Sequence, residues 1–349
     1  MPALCDGVDC RHPSLQGSSG GGGFPLLRGS LAVEFFFLVS GCLMMKSVCK
    51  AQKLGQPFDE LRDTWTFLYK KVKAVFPEVA VSFCMALLCF ISVSGKGIGE
   101  LIRHCSAGFA NDFLLMRTTS AFGWDSCYDG VTWYISAMLL AMAVLYPVLR
   151  KWGYRPWLLV LSFLLLGWLT HEYGGLRGPD KWVGCCVKGN IRAFCEISLG
   201  CLIFPVSSWL SSLSWTRFSR CLFFVLKIAL FAAMLVYMHL KPFAPDGFFL
   251  LMMWCFVTLL FSQIAVDRFR YDHAFFRLLG SLSLPLYLGH FYMNFFLRKH
   301  LPESWVPMEK LMVYIMASFL SAAVLMLVCK LLRKNAERMV RLFVSLKPE

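Results

Sequence analysis

The segment GSLAVEFFFLVSGCLMMK, residues 29–46, decides the fold class because its apolar side chains continue for nearly the length that crosses a bilayer. A transmembrane helix needs about 20 predominantly apolar residues. The segment carries one acidic residue, Glu34 near its start, and the next charged residue is Lys46 at its end. Similar apolar segments recur along the chain. The sequence therefore predicts an all-α fold, a polytopic bundle of transmembrane helices.

The composition agrees with a membrane protein. Hydrophobic residues make up 58% of the chain and charged residues 16%, whereas a typical soluble domain has about 25% charged residues. We expect about nine spans, at residues 31–48, 75–94, 131–149, 157–171, 190–209, 219–240, 247–266, 280–297 and 311–332. Residues 105–124 surround two charges with apolar side chains and are expected to form a surface or re-entrant helix. Short loops favour one integral membrane domain over residues 31–332.

Clusters of Lys and Arg between the apolar segments account for the net charge of +14 and indicate the orientation of the chain. A membrane topology explains such clusters better than a nucleic-acid partner does, so no nucleic acid is expected. Loops rich in Lys and Arg face the cytoplasm, and here they follow the first, third, fifth, seventh and ninth spans. We therefore expect a multi-pass protein of the cell membrane with a basic cytoplasmic tail at residues 333–349.

The first 30 residues do not fit this topology easily. Nine spans and a cytoplasmic C-terminus place the N-terminus outside. Residues 1–30 have neither the apolar core of a signal peptide nor the length of apolar side chains that a span needs. The glycine run at residues 20–23 is typical of a flexible connector. We expect this segment to be glycine-rich and not to span the membrane.

Four segments together resemble the membrane-bound acyltransferase-3 family, whose members are integral membrane O-acyltransferases of sugars and cell-envelope polymers. The first is residues 29–46, with its Val-acid-x-Phe-Phe-x-x-Ser-Gly-x-Leu pattern. The others are FLYKKVKAVFPEVA (67–80), TWYISAMLLAMAVLYPVLRK (132–151) and SLSLPLYLGHF (281–291). The resemblance implies acyl-CoA, acetyl-CoA above all, as the donor substrate, and a glycan or glycolipid hydroxyl as the acceptor. It implies no bound cofactor beyond that donor.

The sequence departs from the family pattern at two places. Many members have a glutamate where this chain has Met138. The family also begins with a span that bears an arginine and, about ten residues later, a histidine, which would give ten spans. His12 lies where that histidine could stand, but Met1 occupies the place of the arginine. The resemblance thus implies a further, first span, and the expectation is that the chain as written is incomplete.

Few ionisable groups lie inside the predicted spans, and such groups are costly unless they face a cavity or a partner. Transfer of an acyl group from a thioester to a hydroxyl needs a base, donors for the oxyanion, and cations for an anionic donor. Together with the resemblance, this predicts a catalytic set of His12, Glu34 and His290. The predicted substrate-binding residues are Ser40, Arg192 and Asn294, and the predicted donor-binding residues are Lys70, Lys71 and Lys73. No cysteine spacing is typical of a metal site.

Most of these residues also have a plain structural interpretation. Glu34 suits the first turn of a helix at the outer membrane interface, where the helix dipole favours an acid. Ser40 and Gly41 suit helix packing, and Arg192 and Glu196 are spaced to pair along one helix face. His290 could be a buried histidine that a neighbour satisfies, and the lysines could serve topology alone.

The leading functional hypothesis is a membrane O-acyltransferase. One alternative is a transporter or flippase without chemistry, although such folds are expected to show paired repeats with broken helices, and no internal repeat is visible. A second alternative is a truncated, inactive remnant of an acyltransferase.

Overall fold

The computed structural model contains nine α-helices and one short hairpin within the residues that it describes. These residues are 31, 33–94, 99, 109–119, 130–176, 178, 180–184, 186–239, 246–264, 274–302 and 304–345. The helices are α1 (Val33–Lys53), α2 (Glu60–Ser94), α3 (Thr132–Trp152), α4 (Pro156–Tyr173), α5 (Lys188–Ser212), α6 (Arg217–His239), α7 (Asp246–Ser262), α8 (Ala274–His300) and α9 (Pro307–Ser345). The hairpin pairs β1 (Trp182–Val183) with β2 (Cys186–Val187) in antiparallel register.

A helix covers each of the nine predicted apolar segments, so the all-α helical bundle is confirmed. Within the described ranges, five helices have the length and hydropathy to cross a membrane: α2, α3, α5, α6 and α9. Helix α7 is apolar but shorter. The number of spans stays a prediction.

Proline residues interrupt the helices less than the sequence suggested. A proline within an apolar segment is expected to start or kink a helix, yet α8 continues through Pro285, as α2 does through Pro77. Residues 109–119 form only two short helical turns, Phe109–Phe113 and Arg117–Thr119. Asp112 and Arg117 are buried there and pair at 3.5 Å, so their charges do not lie on a surface.

The helices divide into two compact units. The first unit comprises Met1–Tyr69, Thr118–Ser120 and Trp133–Arg270, and the second comprises Lys70–Arg117, Ala121–Thr132 and Tyr271–Glu349. Helices α1 and α3 to α7 thus belong to the first unit, apart from Thr132. Most of α2, together with α8 and α9, belongs to the second.

In the first unit, two glycines let α1 and α5 approach closely. A Cβ atom on Gly41 would lie 2.9 Å from the Cys201 nitrogen, and one on Gly200 would lie 2.9 Å from the Leu38 Cα atom. This confirms the packing interpretation of Gly41. Around this contact lies a buried core that includes Leu38, Cys42, Leu199, Ile203, Phe249 and Val257. The two helices run in the same direction, because later residues of α1 meet later residues of α5.

In the second unit, aromatic side chains join α2 to α8. Phe83 of α2 and Tyr292 of α8 belong to one buried cluster, against which Phe113 packs. The Tyr292 hydroxyl lies 2.6 Å from the Ser321 hydroxyl of α9. The polar end of a buried tyrosine is therefore satisfied by the third helix of this unit.

Candidate active site

Three ionisable side chains form a buried cluster in the first unit. Arg192 of α5 donates from Nη2 to Oε1 of Glu34 on α1, and from Nε to Oε1 of Glu196 at 2.7 Å. The two carboxylate side chains have no exposed surface, and the arginine side chain is 3% exposed. The i, i+4 pairing of Arg192 with Glu196 that the sequence predicts is confirmed. The link to Glu34 joins residues 158 positions apart.

The charges of this cluster do not balance, and two of its oxygens lack partners. One guanidinium faces two carboxylates, and neither Oε2 of Glu34 nor Oε2 of Glu196 has a hydrogen-bond partner in the described part of the chain. A buried acceptor without a partner costs about 1–3 kcal/mol, and more when it is charged. The cluster can therefore bind a proton, a hydroxyl donor or another cation at these two oxygens.

Helix α3 forms an aromatic wall beside the cluster. The Arg192 guanidinium lies over the Trp133 ring at 5.7 Å from its centroid, which is a cation–π distance. The Phe37 ring packs against Trp133 at 6.0 Å and against Tyr134 at 4.6 Å. These rings exclude water from the guanidinium on one side and so strengthen its ion pairs.

Ser40 lies on α1 within a small polar group that α3 completes. Its hydroxyl is 3.3 Å from the Tyr134 hydroxyl and donates to the Met138 sulfur at 3.3 Å. The Tyr134 hydroxyl donates to the same sulfur at 3.6 Å. Met138, which stands where many family members have a glutamate, thus contacts the predicted substrate-binding serine.

A glycine loop, residues 174–176, closes the cluster on a third side. The carbonyl of Leu176 accepts from Arg192 Nη1 at 3.3 Å, and its backbone N–H donates to Asp246 at 2.9 Å. The Gly175 carbonyl accepts from the Lys188 ammonium at 2.6 Å. Gly175 has φ +137°, in a region that favours glycine, and a Cβ there would clash with Asp246. Charged side chains from α5 and α7 therefore hold this loop over the cluster.

The structure brings together part of the predicted site. Glu34 and Arg192 are in direct contact, and Ser40 lies on the helix that carries Glu34. Glu34 occupies the first turn of α1, where the dipole favours an acid, and its side chain is buried within the protein. His12 lies outside the described residues.

The remaining predicted residues belong to the second unit. His290 of α8 is half-buried, and its Nδ1 lies 2.5 Å from the Tyr287 carbonyl, which suits the interpretation of a histidine satisfied by a neighbour. Asn294, one turn later, is also half-buried. Lys70 and Lys73 are exposed on α2 and Lys71 is half-buried. These lysines lie inside α2, which begins ten residues before Lys70 at Glu60.

Sequence reasoning missed the residues that surround the cluster. Trp133 and Tyr134 lie in the motif at residues 132–151, which predicts no role for them, and no pattern in the sequence singles out Lys188. Asp246 was overlooked, although an acid directly before an apolar segment is a signal like that of Glu34. Among the residues that the structure describes, no group of three His, Cys, Asp or Glu side chains could hold a metal ion.

Comparison with known families agrees with the pattern of motifs. No curated protein and no solved structure matches the chain. The sequence profile of the acyltransferase-3 family, described as an acyltransferase domain, matches residues 12–332. That range contains α1 to α8 and most of α9, together with the buried cluster and its surrounding residues. The chain therefore belongs to the acyltransferase-3 family of membrane acyltransferases.

Proposed function

We propose that this protein is a membrane O-acyltransferase that moves an acyl group, acetyl above all, from acyl-CoA to a hydroxyl of a glycan, glycolipid or cell-envelope polymer. The observation that carries the proposal is the buried cluster of Glu34, Arg192 and Glu196 within the family match. The two carboxylate oxygens that lack a hydrogen-bond partner among the described residues suit a hydroxyl group, since a hydroxyl donates one hydrogen bond and a carboxylate only accepts.

In this reaction the acceptor oxygen attacks the thioester carbonyl, so that a C–O bond forms and the C–S bond breaks. The hydroxyl proton passes to a base, and the CoA thiolate leaves and takes up a proton. Oε2 of Glu34 orients the hydroxyl. Arg192 is a positioning residue as well as a cation, because each of its three nitrogens donates to a protein group. The base is one of two histidines, His12 or His290.

The donor side of the proposal rests on charge. Lys70, Lys71 and Lys73 fall within one turn of α2, and no acidic residue intervenes between them. Three ammonium groups so close together attract the phosphates of coenzyme A. Ser40 is proposed to bind the acceptor hydroxyl, and Arg192 to stabilise the negative charge that develops on the thioester carbonyl oxygen.

The test measures acetyl transfer from labelled acetyl-CoA to membrane glycans by vesicles that contain the protein. We expect transfer by the unaltered chain and a loss of about a hundredfold in Glu34→Gln, since acid–base and orienting carboxylates contribute on that order. Gln keeps the size of the side chain and an acceptor for Arg192. The matched control is Glu172→Gln, an exposed acid at the end of α4, which should leave transfer unchanged.

Further variants separate the remaining roles. Replacing Lys70, Lys71 and Lys73 together with Gln should raise the apparent KM for acyl-CoA and leave kcat unchanged, because ground-state phosphate contacts are lost. His12→Ala and His290→Gln are compared to identify the base. Full transfer by a correctly inserted Glu34→Gln variant would refute the role of the cluster, and full transfer by both histidine variants would refute a histidine base.

A further inference from the structure

A basic pocket in the second unit takes no part in the proposed acyl transfer. Its volume is about 470 Å³, and residues of α2, α8 and α9 line it: Glu78, Ser281, Pro285, Met326, Cys329, Lys330, Arg333 and Lys334. We call it the α8–α9 pocket. Its size falls within the range of about 300–1,000 Å³ that is typical of small-molecule sites.

The pocket has an excess of positive charge. Arg333 Nη2 pairs with Glu78 Oε1 at 2.6 Å, so one cation is already neutralised. Lys330 and Lys334 are one helical turn apart on α9, and neither forms an ion pair with an acidic residue that the structure describes. Two ammonium groups on one helix face therefore remain available to an anion.

Apolar side chains adjoin these cations. Leu327 and Leu331 precede and follow Lys330 on α9 and are 56% and 52% exposed, and Leu278 of α8 is 47% exposed. Helix α9 is one of the helices long and apolar enough to cross a membrane. On a helix that crosses a membrane, exposed leucines face the lipid. The two lysines thus lie where an acyl chain and a charged headgroup would meet.

We propose that the α8–α9 pocket binds the headgroup phosphate of an anionic phospholipid. Lys330 and Lys334 contact the phosphate, while the acyl chains lie along Leu327 and Leu331. Basic pockets between transmembrane helices on the cytoplasmic side are known to suit such headgroups, and positive-inside counting predicts that this end of α9 is cytoplasmic. The exposed leucines favour a lipid over a water-soluble phosphate such as coenzyme A. This inference does not depend on the proposed acyl transfer.

The experiment titrates purified full-length protein in neutral detergent with phosphatidylglycerol or phosphatidylcholine and counts the retained lipids by native mass spectrometry. We expect phosphatidylglycerol to bind more tightly than phosphatidylcholine. The double variant Lys330→Gln/Lys334→Gln should lose about 25-fold in affinity for phosphatidylglycerol, because each lysine near an anionic headgroup contributes on the order of a fivefold factor. Phosphatidylcholine binding should not change.

Two further variants make the test decisive. Arg338→Gln removes one charge from the same helix outside the pocket and should leave phosphatidylglycerol affinity close to that of the unaltered chain. Glu78→Gln removes the acid of the pocket and should tighten phosphatidylglycerol binding, which a merely misfolded variant would not do. Equal affinity for both lipids, or equal losses in the double variant and Arg338→Gln, would overturn the proposal. Displacement of the bound lipid by coenzyme A would reassign the pocket to a soluble phosphate.

Discussion

At the scale of single residues, Arg192 does what a lysine could not do. Its Nε, Nη1 and Nη2 atoms each donate to a different group, on α5, on the glycine loop and on α1. Its flat face also lies over Trp133. A lysine is a compact charge without this planar fork. One side chain therefore fixes the positions of two carboxylates that come from distant parts of the sequence.

We predict that Arg192→Met lowers the free energy of unfolding by about 3–5 kcal/mol, because it leaves two buried carboxylates without their cation. The measurement is denaturant unfolding of the purified protein in detergent. Adding Glu34→Gln and Glu196→Gln to the same chain should recover most of the loss, since no buried charge is then left unpaired.

The control is Lys151→Met, which breaks the pair of Lys151 with Glu60. Lys151 Nζ and Glu60 Oε1 are also close, at 2.5 Å, but both side chains are about half exposed. Exposed pairs contribute about 0–1 kcal/mol, so little change is expected. If Arg192→Met and Lys151→Met lower the free energy of unfolding equally, burial does not determine how much the ion pair contributes.

Ser40 allows the packing interpretation to be separated from the substrate-binding interpretation. We predict that Ser40→Ala raises the KM for the acceptor several-fold, while the free energy of unfolding falls by only about 1 kcal/mol for a lost hydrogen bond. Tyr134→Phe removes the hydroxyl partner of the same bond and keeps the ring against Phe37. If both variants alter the acceptor KM equally or neither does, Ser40 serves packing alone.

At the scale of helices, the approach of α1 to α5 sets the spacing between Glu34 and Arg192. The two glycines of the contact lie about two turns further along each helix, at Gly41 and Gly200. A side chain at either position would push the helices apart at backbone atoms, which cannot rotate away as a side chain can. The contact and the ion cluster are therefore parts of one helix pair.

We predict that Gly200→Ala destabilises the protein by about 1–3 kcal/mol, the usual cost of overpacking, and also lowers acyl transfer. Gly167→Ala on α4 is the matched control, because a Cβ there meets no atom within 4 Å. Alanine is a better helix former than glycine by up to about 1 kcal/mol, so this variant should be neutral or slightly more stable. Unfolding in detergent compares the two, and an equally stable Gly200→Ala variant would show that the approach is not tight.

The sequence predicted the helices better than it predicted their boundaries or partners. Long apolar runs identify the helices, because every side of a transmembrane helix contacts either the protein interior or lipid. Pro285 does not end α8, and in a helix bundle neighbouring helices can satisfy the backbone groups that a proline frees. The pairing of Arg192 with Glu196 follows from helix geometry alone. The pairing with Glu34 depends on which helices pack together, and a single sequence does not encode that in any local pattern.

At the scale of the whole molecule, topology is the feature on which each proposed role depends. Within the first unit, α1, α3 and α5 run in the same direction. Phe37 meets Trp133 near the starts of α1 and α3, while Gln52 donates to the Leu149 carbonyl near their ends, at 3.4 Å. In the sequence, one helix separates α1 from α3 and one separates α3 from α5. Parallel helices with this spacing are expected when a chain crosses a membrane back and forth. The glycine loop then lies at the opposite end of α4 from residues 153–155.

The last prediction is that these two loops lie on opposite sides of the membrane. Arg150 and Lys151 lie just before the loop at residues 153–155 and Arg155 lies in it, and loops rich in Lys and Arg are retained in the cytoplasm. A reporter inserted there should be cytoplasmic, as should one fused after Glu349, whereas a reporter within residues 178–184 should be external. The buried cluster would then face the outer side, where cell-envelope glycans are found, and acyl-CoA would have to be used from the other side. If the reporters on either side of α4 prove to be on the same side, then α4 does not cross, and both the nine-span topology and the division of donor and acceptor between the two faces are wrong.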